Sequence, residues 1–226
     1  MDHVIIVAGG KGMRMGADIP KQFLLLGGKP ILMRTIQRFH DYSPTLDIIL
    51  VLPHDQQDYW RELCETYSFE VKVRIVDGGD TRFQSVKNGL ELIGTTEMGV
   101  VAVHDGVRPL LSIDLIDRCF AGARISEMCI PVVPVTDTLR HVALGTVPRS
   151  DYRLVQTPQC FRLDLFRKAY EQPYSENFTD DASVCESFAD NVSFVDGEST
   201  NIKITRPVDM AFAEAILSEE RGMWQW

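Results

Sequence analysis

The chain has 226 residues, 45% of them hydrophobic and 24% charged, enough for one large domain with a full core. Its formal net charge of −9 argues against nucleic acid as a partner, since a phosphate backbone calls for a basic face. No apolar run approaches the length of a membrane span, so no membrane partner is expected.

Strand-like sequence begins within the first four residues, which leaves no signal peptide to expect. The cysteines at 64, 119, 129, 160 and 185 are odd in number and show no C-x-x-C spacing. That usage fits reduced thiols in a cytoplasmic protein, and with no H-x-x-x-H pair a zinc cage is not expected.

Residues 4–7 (Val-Ile-Ile-Val) read as a buried parallel strand. The strand runs into Ala8-Gly9-Gly10-Lys11-Gly12-Met13-Arg14-Met15-Gly16 and then Pro20-Lys21-Gln22-Phe23. Glycines let the backbone fold tightly against a ligand, and with Arg14 and Lys21 beyond them the loop predicts a phosphate cradle. A dinucleotide fingerprint is excluded because Met15 stands where its third glycine belongs, and no Walker string occurs.

Pro30 predicts a helix start, with Ile31, Leu32, Ile36 and Phe39 on one side. Further strands are predicted over 48–52, 71–76, 100–103 and 130–135. Ser112 is an N-cap candidate for a helix carrying Leu115, Ile116, Cys119, Phe120 and Ala123. This alternation predicts an α/β fold, a mainly parallel sheet with helices on both faces. Ligands of such sheets bind at the carboxyl ends of the strands. There the loops Asp77-Gly78-Gly79-Asp80 and His104-Asp105-Gly106-Val107-Arg108-Pro109 would join the opening loop at one edge.

From 137 to 158 the rhythm breaks into short alternating runs around Gly145, which predict a β-hairpin arm, either a surface loop or one that packs on a second subunit. Helical spacing returns at Leu163, 201–205 reads as a late strand, and Pro207 opens a last helix with Met210, Ala213, Ile216 and Leu217. Residues 1–220 are thus expected to form a single domain with a protruding arm, and 221–226 a frayed tail.

Taken in order, the loops already quoted are followed by Arg82-x-x-Ser85, Pro134-Val135-x-Asp137-Thr138, Arg149 and Gln156-Thr157-Pro158-Gln159. Thr179-Asp180-Asp181-Ala182-Ser183 and Asn201-Ile202-Lys203-Ile204-Thr205-Arg206-Pro207-x-Asp209 complete the series. Together they closely resemble the 2-C-methyl-D-erythritol 4-phosphate cytidylyltransferases of the non-mevalonate isoprenoid pathway, across residues 4 to about 217. Two departures are visible: Ala8-Gly9-Gly10 stands where the family commonly has Ala-Ala-Gly, and Gly106-Val107 where it has two alanines.

The resemblance implies a Rossmann-like nucleotidyltransferase fold and cytidylyl transfer from CTP to a branched polyol phosphate, releasing pyrophosphate. It also implies Mg²⁺ and a homodimer whose arm reaches the partner's active site. By the same analogy Arg14 and Lys21 stabilise the transition state, and Arg149 and Lys203 position the polyol phosphate. Ala8, Gly9, Gly10, Gly12, Gly79, Asp80, Ser85 and Asp105 would contact CTP, and Arg108, Thr138, Thr157 and Thr179 the acceptor. A phosphate monoester is mostly dianionic at neutral pH, so the transfer needs charge neutralisation and placement, not a general base.

Asp80 suits the exocyclic amino group of cytosine, which a carboxylate accepts from, or it caps the helix near Arg82. Asp105 could touch Mg²⁺, held mostly by phosphate oxygens and water, or the ribose. Asp180-Asp181 fits a helix N-terminus better than a metal pair. Lys203 and Arg149 could instead be solvated surface cations. Alternatives are a ribitol 5-phosphate cytidylyltransferase, a sugar 1-phosphate nucleotidylyltransferase, or a non-catalytic nucleotide-binding module.

Overall fold

Strands made of unbroken Val, Ile and Leu need cover on both faces, and the helices of this chain supply it. The computed structural model describes residues 1–10 and 19–220. Gly12 and Arg14 of the opening loop and the 221–226 tail lie outside the described residues. In order, the chain forms β1 (His3–Val7), the short β2 (Leu25–Leu26) and β3 (Lys29–Pro30), α1 (Ile31–Tyr42), β4 (Asp47–Leu52) and α2 (Gln57–Thr66). Then come β5 (Arg74–Asp77), α3 (Arg82–Glu91), β6 (Val100–Asp105), α4 (Ile113–Ser126) and β7 (Met128–Pro134). They are followed by β8 (Leu139–His141), β9 (Gly145–Val147), β10 (Arg153–Val155), β11 (Gln159–Arg162) and α5 (Leu163–Tyr170). The last elements are α6 (Asp181–Cys185), β12 (Val192–Asp196) and α7 (Pro207–Glu220).

The central sheet has eight strands in the order β10-β7-β11-β6-β1-β4-β5, with β12 also on β7. β1 pairs in parallel with both β4 and β6, β4 with β5, and β12 with β7, while β10 and β11 run antiparallel. Alternation along the strands divides the core between the two faces. Val4, Ile6, Ile48 and Leu50 pack with Ile36, Phe39, Trp60 and Phe120 of α1, α2 and α4. Ile5, Ile49, Val101 and Val103 face Val86, Phe166 and Ala182 of α3, α5 and α6. The strand order reverses at β1, which sits between β4 and β6, so the glycine loop leaves the sheet at the switch point where such folds bind ligands.

Local chemistry matches most of the predicted starts and stops. The Ser112 hydroxyl accepts from the Leu115 amide at 2.9 Å and caps α4. Pro30 takes the N-cap position, one residue before the helix it was expected to open. The strand expected at 201–205 is an extended segment without a ladder: only the Ile204 amide reaches across, to the Val107 carbonyl at 3.0 Å. Ile204 is buried there in a small cluster with Leu26, Val107, Ala213 and Leu217, which seats α7 against the loop after β6. The late strand is instead β12, on a sheet edge with Phe194 exposed.

β8 and β9 form a separate antiparallel hairpin, with Gly145 at φ +84, a conformation that suits glycine. Beyond it β10 returns to the central sheet, pairing Arg153, Leu154 and Val155 with Pro134, Val133 and Val132. Gln156 and Thr157 are buried, so the second half of the 137–158 stretch belongs to the body and its outer part is the hairpin and the turn after it. No helix among the described residues is long and apolar enough to cross a membrane.

Candidate active site

Two clefts open at the carboxyl ends of β1 and β6. The first, about 300 Å³, is lined on one side by Ala8, Gly9, Gly10 and Lys21, and on the other by Asp80 and Ser85. The Pro20-Lys21-Gln22-Phe23 string explains how Lys21 is aimed. Gln22 and Phe23 are buried; the Gln22 amide donates to the Ala8 carbonyl at 2.8 Å, and Phe23 packs edge-on against Tyr59. Lys21 thereby lies over Gly10, where a Cβ would meet its Cε at 3.4 Å and its Nζ at 3.9 Å. Opposite, the Gly79 amide donates to the Ser85 hydroxyl at 3.0 Å. A Cβ on Gly79 would fall 2.3 Å from Gln84 Cγ, so the loop closes this tightly only with glycine there. Thr81, not Asp80, caps α3, accepting from the Gln84 amide at 3.0 Å. That leaves Asp80 exposed at the rim of the cleft.

The second cleft, about 340 Å³, is lined by Arg108, Gln156, Thr157, Gln159 and Thr179. It shares Arg82, Asp105 and Lys203 with the first, so the two are neighbours across one charged wall. Lys203 Nζ lies 3.0 Å and Arg108 Nε 3.1 Å from the same oxygen, Oδ2 of Asp105. Burial alone would raise the Asp105 carboxyl, but Lys203, Arg108 and Arg82 outweigh it and hold the group well below the usual carboxylate range.

Behind this wall a chain of hydrogen bonds fixes the loop after β6. Burial pushes His104 down to about 4, so its ring is neutral at physiological pH. The Arg108 carbonyl, 3.1 Å from Nε2, can only accept, which makes Nε2 the protonated nitrogen and Nδ1 the acceptor. The Thr157 hydroxyl therefore donates to Nδ1 at 3.0 Å and accepts from the Asp105 amide at 3.2 Å. Its hydroxyl is committed to the scaffold, although Thr157 lines the cleft. Arg108 also donates through Nη1 to the Asn201 carbonyl at 2.7 Å, and Asn201 to the Thr157 carbonyl at 2.9 Å. These bonds tie the Lys203 segment to the loop.

The far side of the second cleft is the start of α6. Asp180 and Ser183 form a reciprocal capping box, as the expected helix N-terminus required. Gln159 donates to Asp180 Oδ2 at 2.7 Å and accepts from the Ala182 amide at 2.9 Å. Arg149 and Thr138 are not brought to either cleft of this chain. Both are exposed near the hairpin, and Arg149 donates to the Thr136 carbonyl.

A protein cage for a metal ion does not fit these residues. Asp105, the expected ligand, already meets two cations on one oxygen, and Arg82 adds a third positive charge to its surroundings. No group of three His, Cys, Asp or Glu among the described residues could hold an ion.

Arg82 and Gln159 carry no role in the sequence reading, and Asp181 only that of a helix N-terminus. The signal was faint: each falls inside a recognised string, but their meeting depends on pairings 21 to 99 residues apart.

A glycine loop at the switch point of a mainly parallel sheet, with two cation-rimmed clefts sharing a wall, defines a nucleotidyltransferase. Residues 2–219 match the family model described as 2-C-methyl-D-erythritol 4-phosphate cytidylyltransferase. A relative of that name from Bacteroides fragilis is 54% identical over 94% of this chain and 98% of its own. Another, from Porphyromonas gingivalis, is 50% identical over 96% and 97%. The crystal structure of 4-diphosphocytidyl-2C-methyl-D-erythritol synthase from Anaerococcus prevotii superposes with a TM-score of 0.81 at 30% identity, over 96% of this chain and 98% of that one. The Francisella tularensis 2-C-methyl-D-erythritol 4-phosphate cytidylyltransferase gives 0.79 at 34%, over 95% and 99%. The chain belongs to the 2-C-methyl-D-erythritol 4-phosphate cytidylyltransferase family and is an enzyme of isoprenoid biosynthesis.

Proposed function

We propose that the first cleft takes CTP, the second takes 2-C-methyl-D-erythritol 4-phosphate, and the cytidylyl group passes across the wall between them. The observation that carries this is the shared wall of Arg82, Asp105 and Lys203, which brings two anionic substrates together over positive charge. An oxygen of the acceptor phosphate forms a bond to the α-phosphorus of CTP. The bond from that phosphorus to the α–β bridging oxygen breaks, and pyrophosphate leaves with the electron pair. The attacking dianion needs no base, so no proton moves.

Lys21, folded over Gly10, faces the leaving side, and by the family resemblance Arg14 shares its task of stabilising the transition state. Asp80 accepts from the cytosine amino group; uracil would offer it an oxygen and be repelled. Ala8, Gly9, Gly10, Gly79 and Ser85 shape the nucleotide cradle, and the family resemblance gives Gly12 a CTP contact as well. Lys203 and Arg108, with Thr179 opposite, hold the acceptor phosphate, and Thr157 positions the Asp105 loop. When bound, Mg²⁺ would be held by the substrate phosphates and water and would supply charge neutralisation there; Asp105 is a salt-bridge hub, not its ligand.

The working unit is a homodimer, in which the 137–158 arm of a single 1–220 domain brings Arg149 and Thr138 to the partner's site. Val142 at 101% and Leu144 at 77% exposure cover nothing among the described residues, so a second copy is their natural cover. The enzyme works in the cytoplasm, where its five free cysteines stay reduced.

Pyrophosphate release measured with CTP, UTP and ATP against methylerythritol 4-phosphate and ribitol 5-phosphate tests the substrate assignment. CTP with methylerythritol phosphate is expected to be turned over far faster than any other pair. Equal rates with ATP, or release with neither acceptor, would overturn it.

A further inference from the structure

We infer that Arg82 is the ligand the two substrates share, a guanidinium held by buried Asp181 so that it spans the acceptor phosphate and the α-phosphate. The assignment rests on the two-cleft function proposed above. Arg82 is the first residue of α3, the helix that carries Ser85 of the nucleotide cradle, and it lines both clefts. Asp181 is the first residue of α6, directly after the Thr179-Asp180 edge of the acceptor cleft. The ion pair between them, at 2.5 Å, therefore joins the helix starts of the two half-sites.

Only one face of the guanidinium is used up. Nη2 donates to Asp181 Oδ2, and the other donors bond to no described residue. Arg82 keeps 32% of its side chain exposed, whereas Asp181 has none and is held on its second oxygen by the Tyr170 hydroxyl at 2.7 Å. A carboxylate buried that deeply fixes the fork from behind and leaves its free edge toward the clefts. The acceptor phosphate and the α-phosphate it attacks are both anionic, and a planar fork can donate to both at once. A lysine cannot do so with the same geometry.

The competing account is that Arg82 merely neutralises Asp181. Removing one partner of a buried pair is then strongly destabilising, but removing both is tolerated. The double variant Arg82→Gln/Asp181→Asn separates the two accounts, alongside Arg82→Lys. The readouts are melting temperature, CTP affinity by calorimetry, and kcat and KM for each substrate. A shared ligand predicts that the double variant folds with a near-native melting temperature and loses about 10²–10³-fold in kcat. CTP affinity should fall far less, and Arg82→Lys should recover only part of the rate. Near-native kcat in the folded double variant, or full activity in Arg82→Lys, would overturn the inference. A wild-type enzyme that turns over neither acceptor would instead bring down the two-cleft function itself.

Discussion

At the scale of single residues, this chain's two departures from the family pattern face opposite surroundings. Among the described residues, a Cβ on Gly9 would meet only Pro53, at 4.0 Å, which is ordinary contact. A Cβ on Gly106 would press on Ala8 Cβ at 3.0 Å, Leu32 Cδ1 at 3.1 Å and the Val7 carbonyl at 3.3 Å. Gly9→Ala should therefore stabilise by about 0.4–1 kcal/mol through the unfolded chain, whereas Gly106→Ala should destabilise by about 1–3 kcal/mol. Urea unfolding of both variants checks the pair; equal shifts would mean the loop after β6 yields freely. His104 gives a second test, in pH. Its pKa is about 4 in the folded chain, against about 6.5 unfolded. Between those values the unfolded chain binds a proton that the folded chain refuses. Stability then falls as pH drops through that window, by on the order of 3 kcal/mol in all. Unfolding free energies followed from pH 7 to pH 4 should show this slope, and His104→Gln should lack that contribution. Parallel curves for the two proteins would show that burial of the neutral ring is not its source.

Among the elements, α6 is short and owes its start to one cap. Asp180→Ala removes the acceptor for the Ser183 amide and the bond from Gln159, and should cost about 1 kcal/mol. Because Thr179 and Asp180 line only the second cleft, KM for the polyol phosphate should rise while KM for CTP stays put. Equal rises in both would mean that α6 supports the whole site. This cap was legible in the sequence, as were β1, β4 and β6, whose buried Val and Ile runs are local signals. The expected strand at 201–205 was not a strand, because its register partner is a loop that offers a single carbonyl. β12 went unread because an edge strand with exposed Val192 and Phe194 has no core-facing run to betray it. The insertion of β11 between β6 and β7, and the meeting of Arg82 with Asp181, are long-range pairings that no local pattern encodes. The strings named the loops that converge; only the fold could split them into two clefts with a common wall.

For the whole molecule, the open matter is which chain completes which site. Lys21 and Lys203 line clefts of their own chain, but Arg149 stands apart beside a hairpin whose Val142 and Leu144 are exposed and cover none of the described residues. A hairpin of two three-residue strands is too small to hold its shape unaided, so a partner surface is its expected support. Leu144→Asp should then shift the enzyme to a monomer in light scattering and remove most of its activity. Mixing distinguishes a shared site from mere association. Suppose Lys21→Ala and Arg149→Ala chains, each nearly inactive alone, are unfolded together in equal amounts and refolded. About half the dimers are mixed, and if Arg149 acts across the interface one of the two sites in each is intact, restoring about a quarter of wild-type activity. If Arg149 acts within its own chain, every site in the mixture lacks one of the two cations and no activity returns. Recovery to about a quarter would assign the arm to the neighbour's active site, and none, in a preparation that scatters as a dimer, would return Arg149 to its own chain.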